Sequence, residues 1–187
     1  MAQGLTNPLS DSEVIGRVLD GQPEAFGLLV DRYQDEFARY ARFMSGSEED
    51  AADIIQESLI RAYRSLHRCR EPDNFKGWLF SIVSNRCKTH LARQRRRRTE
   101  ALSPILPDPK AGDLVSRGAE RDEVRRKVEE ALEGLSHEQR EAIVLKYIED
   151  RSLQDISTMT GSSLPALKMR LLRARSLLRS RLNGWYE

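Results

Sequence analysis

Apolar residues recur at helical spacing along most of the chain, and short polar breaks divide them into segments. Val14, Ile15, Val18 and Leu19 predict a first helix, which Gly21 stops. Ser10-Asp11-Ser12-Glu13 ahead of it is a capping box: the serine oxygen takes an orphan N–H and the glutamate reaches back. Pro23 suits the first turn of a second helix, where no N–H is needed. Its inward face is Phe26, Leu29, Val30, Tyr33, Phe37, Tyr40, Ala41 and Met44, and Gly46 ends it. Ser47 restarts the helix with acids at the positive N-terminal end, followed by an inward stripe of Ala52, Ile55, Leu59, Ala62, Tyr63 and Leu66. Cys69 to Asn74 is a break around Pro72 and Asp73. Phe75 to about Arg98 is helical again through Trp78, Leu79, Ile82, Val83 and Leu91.

Residues 99–118 carry prolines and glycines with little periodicity and read as a flexible linker. Beyond it, Val124, Val128, Ala131, Leu132 and Leu135 open a second helical unit. Ser136-His137-Glu138-Gln139 is another capping box, followed by Ala142, Ile143, Leu145, Tyr147 and Ile148. Asp150-Arg151 turns, and Ser152 to Asp155 caps a short helix with Ile156 and Met159 inward. Gly161 is the expected left-handed stop. Ser162 or Ser163 caps the last helix, with Pro165 tolerated in its first turn. Its stripe is Leu164, Leu167, Leu171, Ala174, Leu178 and Leu182. The expected fold is therefore all-α: two small helical domains over 1–98 and 119–187, joined by the linker.

Charge sharpens this picture. The net charge is only +2, so bulk charge predicts no partner, but its distribution does. Glu48 to Glu57 carries acids and no base, whereas Arg86 to Arg98 and Leu164 to Arg181 carry bases and no acid. Two basic blocks suit nucleic acid, and the acidic block suits something else. Cys69 and Cys87 are far apart and form no metal-binding spacing with the histidines, so they read as reduced, buried thiols, with no metal and no cofactor. No apolar run approaches the ~20 residues of a membrane span, and no basic start with an apolar core marks a signal peptide.

A short helix, a glycine turn and a capped basic helix match the helix-turn-helix arrangement. The start of the second helix would enter the major groove, with Ser163, Ala166, Lys168, Met169 and Arg173 near base edges and Arg170 and Arg175 on phosphates. Upstream, Asp53, Gln56, Glu57, Ile60 and Arg61 lie off the core stripe. An isoleucine left outside on an acidic and amide face suggests a protein-docking spot. No glycine-rich phosphate loop, metal spacing or nucleophile motif supports an enzyme or a small-molecule substrate.

FGLLVDRYQDEFARYARF, EEDAADIIQESLIRAYRSL and FKGWLFSIVSNRCKTHLARQRRR, then GLSHEQREAIVLKYIEDRSLQDISTMTGSSLPALKMRLLRARSLLRSRL, cover nearly the whole chain. In this order they resemble regions 2 and 4 of the extracytoplasmic-function (ECF) sigma factors of bacterial RNA polymerase. The resemblance implies a cytoplasmic initiation subunit with no domain before Leu9 and no intermediate domain in the linker. It implies that Asp53, Ile54, Gln56, Glu57, Ile60 and Arg61 dock on the β′ clamp coiled coil of the polymerase core, and that the β flap is a further contact. It implies that Asn74, Phe75, Trp78, Asn85, Arg86 and Lys88 capture the melted minus-ten element. Lys168, Met169, Leu172 and Arg173 would read the minus-thirty-five element, and an anti-sigma factor would regulate the chain. Ala166, Pro165, Met169 and the loop CREPDN depart from the residues usual there. The rival reading is a helix-turn-helix regulator whose first domain dimerises or senses a ligand.

Overall fold

The computed structural model describes residues 9–100, 123, 127–128, 130–132 and 134–182. Every regular element among them is helical. Helix α1 (Asp11–Leu19) starts on the expected capping box: Glu13 N–H donates to Ser10 Oγ at 3.2 Å and Ser10 N–H to the Glu13 carboxylate at 2.7 Å. Those bonds, the backbone one first, hold the Glu13 carboxyl below its ordinary 4.5. Val14 and Ile15 are buried, but Leu19, expected inward, is exposed on the helix's last residue, where no neighbour overhangs it.

Pro23 opens a short 3₁₀ turn, Pro23–Ala25, rather than the helix itself; α2 runs Phe26–Ser45 and stops at Gly46, whose φ of 80° needs a residue without Cβ. Helix α3 (Glu48–Arg64) begins on Ser47, which accepts from Asp50 N–H at 3.2 Å. Its buried stripe is Ala51, Ile54, Ile55, Ser58 and Ala62. Ala52 and Tyr63, expected inward, lie outside, because the stripe runs one residue earlier than the apolar letters suggest. Tyr63 still has a role there, packing edge-on against Phe26 at 5.3 Å. Two 3₁₀ turns, Leu66–Arg68 and Pro72–Asn74, carry the chain into α4, Phe75–Glu100. The expected linker lies outside the described residues except Thr99 and Glu100, which continue α4 past the expected boundary at 98.

In the second half, residues 127–128 and 130–132 are helical, while Val124 lies outside the described residues. Helix α5 (His137–Ile143) starts on the Ser136 capping box and widens into a π turn, Val144–Ile148. The extra residue per turn shifts the phase. Val144 and Leu145 go inward, and Tyr147, expected inward, is turned out. Asp150 makes the turn at φ 47°. Helix α6 (Leu153–Thr160) starts on the Ser152 box and stops at Gly161, φ 66°; α7 runs Leu164–Leu182.

The halves are not separate beads. Val144, Leu145, Ile156 and Leu167 join one apolar core with residues of α1 to α4. A satellite cluster of Leu132, Leu135, Ala142, Ile143, Leu171 and Ala174 packs under Phe43 of α2.

Candidate nucleic-acid interface

Helix α3 shows the expected mixed face. Asp53, Gln56, Glu57 and Arg61 are exposed, and Ile60 keeps 45% of its surface open. Ile60 lines a shallow groove with Glu57, Arg61, Arg64 and His67. Ile54 departs from the expectation: it is 4% exposed and belongs to the core, because it falls one position off that face. Glu57 ion-pairs with Arg86 of α4. Arg86 is thus turned to α3 and away from the other residues assigned to melted DNA.

Those residues split further. Asn74 and Trp78 converge on a cleft of about 560 Å³ at the start of α4, beside Lys76 and Gly77. Phe75, expected to meet a base, is 0% exposed. It is wedged between Tyr33, 5.8 Å away, and Trp78, 5.7 Å away, and so supports the tryptophan from behind. Lys76 pairs with Glu36 at 2.7 Å. Asn85 and Lys88 are exposed farther along α4, and Lys88 faces Glu138 of the second half at 3.8 Å.

Helix α7 is held by local geometry. Ser163 is its cap: Leu167 N–H donates to Ser163 O at 3.0 Å, and Ala166 N–H to the Ser163 hydroxyl at 3.4 Å. That hydroxyl accepts here and still carries an O–H that can donate. Leu167, Leu171 and Ala174 face the core, so Met169, Leu172 and Arg173 project away from it. Lys168 and Arg175 are exposed and Ala166 is half-buried. Arg170, expected on a phosphate, donates to the Ser162 hydroxyl at 2.6 Å and ties the helix to the preceding turn. Leu172 also borders an apolar groove with Ile143, Tyr147, Leu178 and Arg179.

Sequence reasoning missed the residues that join the halves. Arg140 and Glu141 are 3% and 7% exposed. Arg140 donates from Nη1 to Met44 O at 2.6 Å and from Nε to Leu132 O at 3.0 Å. Both carbonyls lie near helix C-terminal ends, where orphan acceptors and the dipole favour a cation. Glu141 accepts from the Tyr40 hydroxyl at 3.0 Å and from Ser84. Burial first, and the Glu141 charge second, push the Tyr40 phenol well above its ordinary value, so it stays a donor. Cys87 beside it is pushed to about 12 by burial first and is an inert, protonated thiol. The signal was present: Arg140 and Glu141 stand four residues before Val144 and Leu145, on the buried side. At the rim, Glu36 also pairs with Arg151.

No helix among the described residues is long and apolar enough to cross a membrane, and none of their acidic, histidine and cysteine side chains cluster as a metal site. Residues 29–97 match the family described as Sigma-70 region 2, and residues 125–178 match Sigma-70, region 4. The chain is 29% identical to an ECF RNA polymerase sigma-E factor of Haemophilus influenzae, over 95% of this chain and 98% of that one. It is 32% identical to an RNA polymerase sigma-H factor of Pseudomonas aeruginosa, over 90% and 91%. Among solved structures it is similar to CnrH in complex with the cytosolic domain of CnrY, with TM-score 0.66 and 27% identity over 94% and 98% of the chains. It is also similar to the sigma factor RpoE in complex with the anti-sigma factor NepR from Bartonella quintana, with TM-score 0.61 and 25% identity over 84% and 96%.

Proposed function

The chain belongs to the ECF sigma factors and directs promoter-specific transcription by RNA polymerase, and on that premise we propose how its surfaces divide the work. The exposed part of α3, with Ile60 among Asp53, Gln56, Glu57 and Arg61, docks on the β′ clamp coiled coil of the polymerase core. An acidic face repels DNA but suits a basic partner, and Ile60 supplies the apolar anchor. The cleft between Asn74 and Trp78 takes a base extruded from the melted minus-ten element. Extruding a base costs a few kcal/mol, and stacking on an aromatic ring returns about 1–3 kcal/mol. Asn85 and Lys88 track the strand beyond it.

The outward face of α7, with Lys168, Met169, Leu172 and Arg173 and with Arg175 on the backbone, reads the minus-thirty-five element. The apolar groove around Tyr147 offers a seat for the β flap. The first unit runs from 1 to at least Glu100, two residues past the expected boundary at 98, and the second covers 119–187, with the linker between them. The chain works in the cytoplasm, carries out no reaction of its own and is held off by an anti-sigma factor, as its structural relative RpoE is bound by NepR.

The observation that carries this reading is the separation of an acidic, part-apolar face on α3 from an acid-free basic face on α7. The test is transcription reconstituted from core polymerase, promoter DNA and this chain. Ile60→Glu should abolish core binding in a pull-down while leaving the helical circular dichroism intact. Unchanged polymerase affinity sinks the docking assignment. Tight, specific promoter binding by a dimer without polymerase would favour the regulator reading instead.

A further inference from the structure

Glu71, Asn74 and Gly77 stand three residues apart where the chain enters α4. Glu71 precedes the 3₁₀ turn Pro72–Asn74, and its side chain does not cap that turn. The backbone closes it instead, with Asn74 N–H donating to Glu71 O at 2.9 Å. Side chains three apart eclipse in such a turn, and the Asn74 amide reaches back, Nδ2 donating to the Glu71 carboxylate in a long contact of 3.5 Å. The amide oxygen lies over Gly77. A Cβ at that position would come within 2.6 Å of Asn74 Oδ1, so only glycine leaves the amide its seat.

All three line the cleft with Trp78, and so do Arg68 and Arg70. The two arginines are exposed and suit the phosphates of a single strand. A carboxylate beside them lowers affinity for every polyanion alike, so affinity is not its role. What a carboxylate can do is discriminate, because it accepts hydrogen bonds and donates none. Adenine, cytosine and guanine each carry an exocyclic amino group that can donate to it. Thymine has none, and its one ring N–H is flanked by two carbonyl oxygens. A carboxylate set against that edge meets lone pairs and gives up hydration without a full replacement.

We propose that Glu71 is the specificity-determining residue of the minus-ten cleft. With the extruded base stacked on Trp78, Glu71 takes the exocyclic amino group of adenine, cytosine or guanine and rejects thymine. Asn74, seated on Gly77, holds the carboxylate toward the base edge. The inference rests on reading Asn74 and Trp78 as the base-capture site. The second hydrogen of Asn74 Nδ2 can donate to a ring nitrogen or carbonyl of any base, so Asn74 supports binding without choosing. The choice comes from repulsion of the wrong base as much as from attraction of the right ones. Gly77 acts through Asn74 and is a positioning residue.

The experiment uses core polymerase with the full chain and a pool of promoter templates, premelted over about 12 nucleotides and randomised there in the non-template strand. Bound templates are sequenced. The parent should deplete thymine about tenfold at one position. Glu71→Gln exchanges an acceptor oxygen for an NH2 that can donate to a thymine carbonyl, so thymine should return at that position alone. Glu71 is exposed, and the exchange leaves the core untouched. Gly77→Ala should displace the Asn74 amide and blunt the same preference. Its thermal melt should stay level or rise, because alanine is the better helix former. Trp78→Ala should weaken binding of the whole pool. No depletion in the parent, or depletion that survives Glu71→Gln, overturns the inference; if Trp78→Ala still weakens binding, the base-capture site stands. A Gly77→Ala chain that keeps the parent's preference overturns the part given to Asn74 and Gly77. If neither Trp78→Ala nor Asn74→Ala changes binding, the base-capture reading falls, and the role of Glu71 with it.

Discussion

At the residue scale, single side chains were legible by type more than by direction. Periodicity leaves Ile60 outside, where it is; the family resemblance makes Ile54 and Phe75 contacts, and both are core. Each residue turns a helix by about 100°, so one position decides inside from outside. His137 shows what burial then does to a titrating group. It lies in the seam among Glu138, Glu141, Lys88 and Arg140, with Nε2 3.7 Å from Glu141. Burial first lowers its pKa below the ordinary 6.5; the two carboxylates pull it back and the two cations push it further down. The unfolded chain therefore takes the proton first as pH falls. Stability is intact above about pH 6.5 and is lost as pH drops from there through the folded pKa. Thermal melts at stepped pH should show this loss in the parent, and His137→Gln should flatten it. An identical slope would place the effect elsewhere, since Glu13, Glu138 and Asp155, all lowered by cap hydrogen bonds, act only below the ordinary carboxylate range. Arg173 gives a second residue-scale prediction. Exposed at the outward face of α7, it should contribute about 1–3 kcal/mol to promoter binding if it reads a guanine. Arg173→Ala then relaxes preference at one base pair in a binding selection. If it only touches phosphate, affinity falls uniformly and the salt slope drops by about one.

At the element scale the sequence was most informative, because caps are local. The boxes at Ser10, Ser136 and Ser152 each form with both reciprocal bonds. Nothing distant decides whether a serine oxygen reaches an N–H three residues on. The π turn at Val144–Ile148 was not legible, since no residue type encodes it. It follows from packing Val144 and Leu145 against α2 and turned Tyr147 outward, which opened the groove on region 4. Gly161 tests the element scale. Its φ of 66° sets the angle between α6 and α7, and a Cβ there meets no neighbouring atom, so any penalty is backbone strain alone. Gly161→Val should lower stability by about 1–2 kcal/mol in urea unfolding, with an unchanged m-value. A larger loss, or a changed m-value, would mean that the turn also organises the fold around it.

At the scale of the whole molecule, periodicity says which residues are inside but not which insides meet. Val144, Leu145, Ile156 and Leu167 were all inward candidates or neighbours of them, yet nothing in their spacing says that they share a core with α2 and α4. The joining pieces are polar and lie about a hundred positions apart in the chain: Arg140 with Met44, Glu141 with Tyr40, Arg151 with Glu36. A tethered pair of independent domains would unfold in two steps. A shared core predicts one cooperative step, because exposing either half strips apolar cover from the other. Native-state hydrogen exchange should therefore give amides of α2 and α5 a common opening free energy. Arg140→Ala leaves two helix-end carbonyls without their cation and should lower stability by about 2 kcal/mol or more. It should also split the exchange into two levels, with α5 to α7 opening first. If α2 and α5 already open at different free energies in the parent, the seam is too weak to couple the halves. If Arg140→Ala lowers both levels equally, the residue supports the fold as a whole and does not join its parts.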